Sequence, residues 1–141
     1  MIAVSDLRIG DWVFDGNHTK FPMQITSLSE GYVSLSFPSN EGMDWESTPD
    51  ELQGIPVTIE LLKKIGFKEE KALVLFYRYW DKDYKYKLDI DEGYTNSGRK
   101  WSVHIDNGDC CTIGTGEFTY LHELQNLVSA IAKEELEVKL W

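Results

Sequence analysis

The sequence is short of the features that announce a chemistry. Its two cysteines are neighbours, Cys110 and Cys111, and adjacent cysteines seldom bridge because the peptide between them must be strained. A disulfide framework is therefore excluded, and a reducing compartment is expected. No apolar run approaches the roughly 20 residues that span a bilayer, and the opening MIAVSDLRIGDW lacks the basic and apolar regions of a secretion signal. The expected location is the cytoplasm, with no membrane partner. Glycine-rich phosphate loops are missing: neither G-x-G-x-x-G nor G-x-x-x-x-G-K occurs, and Gly114-Thr115-Gly116 alone is too common to count. Cations are scarce in the first part. Residues 1–56 hold Arg8 and Lys20 against nine carboxylates, within a net charge of −10, so duplex nucleic acid finds no clustered cations there.

What is present reads as a packed globule. Hydrophobic residues make up 42% and aromatics 13% of 141 residues, enough for one domain or two small subdomains sharing a core. Between Trp12 and Phe37 three short strands are expected: Trp12–Phe14, a second through Met23, Ile25 and Leu28, and Tyr32–Phe37, with a tight turn at Glu30-Gly31. Short bent strands entered by Gly-Asp-Trp-Val resemble the start of an SH3-like or Tudor-like small barrel. From Pro38 to Gly54 the composition turns to Ser, Asn, Glu, Gly, Asp and Pro, which reads as a long acidic loop with Trp45 in its middle, with a strand expected near Leu52 to Val57 at its end.

Thr58 to Phe67 reads as a short helix: Thr58 as N-cap, Glu60 in the first turn, Lys63 and Lys64 in the last, and Gly66 as the left-handed stop. Residues 72–113 read as a meander. Tyr84, Tyr86, Leu88 and Ile90 share one face of a strand, and Lys85, Lys87 and Asp89 the other; a two- or three-residue turn at 81–83 decides whether Tyr77 and Tyr79, or Phe76 and Trp80, join the lysines. Asn107-Gly108 marks a hairpin that would place Ile105 across from Cys110 and His104 across from Cys111. At the end, Leu121, Leu124, Leu127, Val128 and Ile131 recur at helical spacing, with Thr119 as N-cap; Leu136, Val138 and Leu140 then alternate as a closing strand. The expected fold is α+β: an SH3-like β-unit over 1–56 with the loop 38–54, then over 57–141 a helix, an antiparallel sheet and a C-terminal helix packed on it.

Three segments taken together, LRIGDWV, IPVTIELLKKIGF and YLHELQNLVSAIAKEEL, resemble a family of small proteins found in Bacteroides-type gut bacteria and in their phages and mobile elements. Tyr120, His122, Leu124, Gln125, Asn126 and Leu127 fit the family's Tyr-x-His-x-Leu-Gln-Asn-Leu pattern, with Glu123 where Gln is more usual. The resemblance implies a shared fold and a mobile-element setting. It brings no catalytic residues, since the family has no assigned activity.

Candidate chemistry is sparse. His104, Asp106, Asp109, Cys110 and Cys111 crowd one hairpin, but a two-stranded ribbon brings too few of them to one face for zinc, and a Cys-His nucleophile would need an orienting group and an oxyanion hole that nothing signals. No metal, cofactor or catalytic residue is expected. A ligand surface is expected on the meander, where Tyr77, Tyr79, Trp80, Lys85, Lys87, Arg99 and Trp101 could stack a nucleotide base and hold its phosphates; the alternative is ordinary sheet packing. Trp45, His122, Gln125 and Asn126 are candidate interaction residues, against the alternatives that Trp45 closes a barrel end and that the three helix residues tie the helix to strands. The expectation is a non-enzymatic accessory protein of a phage or mobile element with a protein partner, a homodimer being an open possibility. The alternative is a nucleotide-sequestering anti-defence protein.

Overall fold

The computed structural model describes the backbone of residues 2–16, 18–37, 45–73, 75–95, 98–108 and 111–140, and their side chains except those of residues 4, 18–20, 93–95 and 98–99. The chain forms two units. The first holds residues up to Pro56 with Tyr120–Asn126 and Leu140; the second holds Val57–Thr119 and Leu127–Lys139.

In the first unit β1 (Trp12–Asp15), β2 (His18–Ser29), β3 (Tyr32–Ser36), β4 (Trp45–Ser47) and β5 (Leu52–Gly54) form an antiparallel sheet in the order β4-β3-β2-β1-β5. That order, with a 3-10 turn at Pro49–Glu51 before the last strand, is the order of an SH3-like barrel. The long β2 shifts register against both neighbours, at Val13/Asp15 and at Ile25/Ser27, and such bulges bend a strand so that it can serve two faces. Leu7, Val13, Met23, Ile25, Val33, Leu35 and Leu52 form the core.

The strand expected near Leu52 is present as β5, but the loop expected before it is corrected at Trp45–Ser47. Trp45–Ser47 pairs with β3, Leu35 opposite Trp45 and Val33 opposite Ser47. The cause is a buried carboxylate: Asp15 accepts from the Trp45 indole N–H at 2.8 Å and from the Ser47 hydroxyl at 3.4 Å. Residues 38–44 of that loop lie outside the described residues.

The second unit contains α1 (Ile59–Ile65), β6 (Lys68–Lys71), β7 (Leu75–Trp80), β8 (Tyr86–Thr95), β9 (Gly98–Asn107) and β10 (Thr112–Phe118), the strands in the order β10-β9-β8-β7-β6. The caps of α1 are those its sequence indicates. Thr58 accepts from the Leu61 N–H, Gly66 takes φ 123°, and the Phe67 N–H closes on the Leu62 carbonyl at 2.9 Å. The last helix, α2 (Leu121–Ala132), starts in the first unit and ends in the second, and Lys133 at φ 59° stops it.

The second half of α2 packs on β10 because two glycines let it approach. A Cβ on Gly114 would stand 2.5 Å from Ile131 Cγ2, and one on Gly116 would stand 2.8 Å from Leu127 Cδ2. Ile131 is β-branched and has little rotamer freedom to retreat. We expect Gly114→Ala to cost about 1–3 kcal/mol and Ile131→Ala to relieve part of it, so that the double variant loses less than the two single losses added. Urea unfolding of the three variants checks this; strict additivity would refute the contact.

Two further expectations are corrected. Among the described residues 133–140 pair with no strand, yet Leu136, Val138 and Leu140 are buried and the residues between them are not. The period of two sets which side chains are covered without supplying a hydrogen-bonding partner. At the β9–β10 connection the pairs are Asp106 with Thr112, Ile105 with Gly114 and His104 with Thr115, so neither Ile105 nor His104 faces a cysteine. The chain closes later than a two-residue turn would: the Asn107 N–H donates to the Cys111 carbonyl at 2.9 Å, and Asn107 Oδ1 accepts from the Cys111 N–H at 3.1 Å. No helix among the described residues is long and apolar enough to cross a membrane.

Candidate functional site

The sheet of the second unit sorts its side chains by the alternation of strands. Tyr77 lies opposite Ile90 and Tyr79 opposite Leu88, while Ile90 and Leu88 face Val103 and Ile105 on β9. These side chains are buried, except for the half-buried Tyr79, and they form the inner face. Phe76, Arg78, Trp80, Lys87, Asp89, Asp91, His104 and Asp106 alternate with them and form the outer face. Trp80 is opposite Lys87, and that register decides which aromatics join the lysine. The turn is set by Asp81, which accepts from the N–H groups of Asp83 and Lys85, both at 3.3 Å, and Tyr84 takes φ 55°. Its five residues, 81–85, take Tyr84 and Lys85 out of the strand where the sequence placed them.

The outer face carries a ladder of compensated charge. Arg78 donates through Nε to Asp89 Oδ1 at 2.7 Å and through Nη2 to Oδ2 at 3.2 Å. The Lys87 ammonium lies 3.5 Å from Asp89 and 3.0 Å from Asp106, with side-chain exposures of only 11% for Lys87 and 12% for Asp106. Thr112 Oγ1 donates to Asp106 at 2.9 Å. Both cations also sit over rings, Lys87 5.6 Å from the centre of Trp80 and Arg78 5.1 Å from that of Phe76.

Burial pushes the Asp106 carboxyl up, but its bonds with Lys87 and Thr112 outweigh this and hold it below the ordinary carboxylate value. Burial likewise pulls Lys87 down, but its bond with Asp106 together with the charges of Asp89 and Asp106 raises it on balance. The bond to Asp89 raises Arg78. Beside the ladder lies a depression of about 160 Å³ lined by Phe76, Asp89, Ile90, Asp91 and His104.

The seven residues read as one ligand surface are thus divided. Tyr77 and Trp101 are core residues, packed edge to face at 6.2 Å, and Trp101 donates its indole N–H to the Val57 carbonyl at 3.1 Å. Tyr79 lies against Phe67 and Tyr86 on the inner face. Lys85 pairs with Glu134 at 3.4 Å in the turn region. Only Trp80 and Lys87 share the outer face, and the Arg99 side chain lies outside the described residues. Sequence reasoning put Asp89 on the face of Lys87 and Phe76 there as one of two alternatives, but named neither as a site residue and missed Arg78 and Asp91. Their signal was present in the alternation Lys87-x-Asp89-x-Asp91, which puts unlike charges on one face.

The interaction candidates of the first unit are placed differently from one another. Trp45 is 39% exposed while its indole is held by Asp15. Gln125, buried, accepts from the Trp12 N–H at 2.9 Å and donates to the Gly10 carbonyl at 3.1 Å. Asn126 donates to the Asp6 carbonyl at 2.8 Å and accepts from Arg8 Nη1 at 3.3 Å. The helix residues tie α2 to the entry loop.

His122 is buried, stacked 5.9 Å from Tyr120, and its Nδ1 has no hydrogen-bond partner among the described residues. Burial lowers its pKa, against the opposing pull of Glu123 and Asp6. A histidine held neutral in the native state contributes stability that is complete above its ordinary value of about 6.5 and is lost as pH falls from that value through the lowered folded one. The urea midpoint is therefore expected to fall between about pH 7.5 and about pH 5.5, and His122→Gln should flatten this part of the profile. An unchanged slope in the variant would show that His122 does not titrate with unfolding.

Among the described residues no three His, Cys, Asp or Glu side chains are grouped to hold a metal ion. Cys110 and Asp109, two of the five residues crowding the β9–β10 hairpin, lie outside the described residues. With its outer face defined, the second unit belongs to the class of open antiparallel sheets covered on one side by a helix. Comparison with protein-family models, with curated proteins and with solved structures finds no match.

Proposed function

We propose that the protein is a non-catalytic interaction protein, acting in the cytoplasm in a phage or mobile-element setting, and that the outer face of β7–β9 is where it binds a partner protein. The observation that supports this reading is the ladder Arg78–Asp89–Lys87–Asp106 with Phe76 and the 40%-exposed Trp80 set over its cations. Aromatic and Arg side chains fixed in advance lose little freedom on binding, and they are the residue types that anchor protein interfaces. A nucleotide finds less support on this face. Lys87 is committed to two carboxylates, Asp89 and Asp91 line the depression, and Tyr77 and Trp101 are in the core.

Capture from a Bacteroides lysate, with wild type and Trp80→Ala side by side, tests the reading. The account expects a specific protein retained by wild type and lost with Trp80→Ala, while Lys63→Glu on α1 retains it. Capture of a protein indifferent to Trp80, or of none, would count against the outer face.

A further inference from the structure

The two edges of the second unit's sheet are guarded unequally. An open strand edge accepts a further strand, and natural sheets refuse one with charge, proline, a bulge or brevity. At one edge β6 is four residues long and consists of Lys68, Glu69, Glu70 and Lys71, all exposed. Laid antiparallel on its own copy it opposes Glu69 to Glu70, and a shift of one residue either way opposes a glutamate to itself, so like charges meet in each case. At the other edge β10 is seven residues long and holds one charge, Glu117, in Thr-Ile-Gly-Thr-Gly-Glu-Phe. Its register shift lies at Thr112/Gly114, and over residues 114–118 it pairs with β9 without a break.

Among the described residues no hydrogen bond outside the ladder with β9 reaches the backbone of residues 113–117. Beyond them the Thr119 carbonyl accepts from the Val57 N–H at 3.1 Å, which ends the open stretch and makes Thr115 its midpoint. A second copy turned about an axis through Thr115 and normal to the sheet meets the stretch without conflict. Thr115 then faces Thr115, Gly114 faces Gly116, and Glu117 faces Ile113, so no two charges are opposed. The same rotation covers apolar surface. Ile131 stands over Gly114 and Leu127 over Gly116, both only half-buried, and setting Gly114 against Gly116 brings Ile131 of one copy to Leu127 of the other. Ile113, 43% exposed, lies along the same edge.

We infer that β10 is a self-pairing edge: two copies of the chain join β10 to β10, antiparallel about Thr115, and their sheets become continuous. This is independent of the outer-face reading, because Trp80 and Lys87 lie on β7 and β8.

Sedimentation equilibrium of the full chain from about 1 to about 100 μM, with circular dichroism to confirm folding, tests it. A monomer–dimer equilibrium is expected. Each copy carries a net charge of −10, so raising the salt from about 0.05 to about 0.5 M should tighten the dimer. Thr115, exposed, can be replaced without touching the core. Thr115→Lys sets two ammonium groups across the axis and should raise the dissociation constant about fivefold, although it reduces the net charge. Glu70→Gln, the same charge change on β6, should alter it less than about twofold. Ile113→Glu should also weaken the dimer by opposing Glu117 of the second copy, and adding Glu117→Lys should restore it. Residues 113 and 117 of one strand are about 13 Å apart, so that rescue acts only between copies.

A chain monomeric over the whole range would overturn the inference, as would a dimer indifferent to Thr115→Lys and Ile113→Glu, or one that loosens with salt. A loss in Ile113→Glu that Glu117→Lys fails to repair would do the same. A monomer that loses a captured lysate protein with Thr115→Lys would give the edge to a strand of that protein instead. Trp80→Ala should leave the dimer intact whether or not the outer face binds a partner; a dimer lost with Trp80→Ala would move the contact away from β10.

Discussion

Replacing Lys87 with Met is expected to lower the unfolding free energy by about 2–3 kcal/mol. The ammonium lies between Asp89 and Asp106 at 3.5 and 3.0 Å, under the Trp80 ring and nearly shielded from water. Met fills similar volume and keeps the apolar stem, so the loss reports charge and not packing. Asp89 retains Arg78, while among the described residues Asp106 retains the Thr112 hydroxyl as its hydrogen-bond donor and the weaker pull of His104. Removing one partner therefore leaves a poorly compensated carboxylate where the intact pair was nearly neutral.

The pH signature has a definite sign. Asp106 is held below its ordinary value in the folded protein, so its contribution is present above that ordinary value and is lost as pH falls through the lowered one. Lys87→Met should shrink this acid limb as well as lower the plateau. Guanidinium or urea unfolding at neutral and at acid pH reads both. A variant as stable as wild type at neutral pH would show that the ladder is decoration on the surface.

Gln125→Leu is expected to cost about 2–4 kcal/mol, one of the largest single effects in the first unit. The amide serves two backbone groups at once, accepting from the Trp12 N–H at 2.9 Å and donating to the Gly10 carbonyl at 3.1 Å, at a position 5% exposed. Gly10 keeps a second donor in Gln24 Nε2 at 3.1 Å, which softens the loss on that side. Gln125→Glu keeps an acceptor for Trp12 and sets a carboxylate against the Gly10 carbonyl, so it should recover part of the loss only at acid pH. Thermal and urea unfolding check the pair. A loss below about 0.5 kcal/mol in Gln125→Leu, the range of ordinary surface substitutions, would contradict the clamp.

Much of the fold is legible because it depends on neighbours in the chain. The ends of α1 follow from Thr58 and Gly66, whose caps need only residues within a turn of them. The face of α2 follows from its leucines, and the α+β order follows from where the periods change. The alternation at Leu136, Val138 and Leu140 correctly gives burial and wrongly suggests a ladder, because a period of two states which side is covered and says nothing about a hydrogen-bonding neighbour. Trp45 was read as a loop residue since its partner, Asp15, is thirty positions away.

The outer-face site was less legible, for a related reason. Which aromatics stand beside Lys87 depends on the turn at 81–85, and adding one residue to a turn exchanges the two faces of the strand that follows. The turn is organised by Asp81 and the positive φ of Tyr84, and Tyr does not signal that conformation as Gly would. The tie between α2 and the entry loop could be anticipated from polar residues on an otherwise apolar helix. Their partners, the backbone of Asp6, Gly10 and Trp12, could not.

The most direct test of the interaction reading is a native mass spectrum of the full-length protein recovered from a Bacteroides lysate, recorded before and after denaturation. The account predicts the chain together with a second polypeptide that denaturation releases, and the same spectrum from Trp80→Ala without it. An adduct of nucleotide size, lost on denaturation and retained by Trp80→Ala, would contradict the account and transfer the function to a ligand site elsewhere in the molecule.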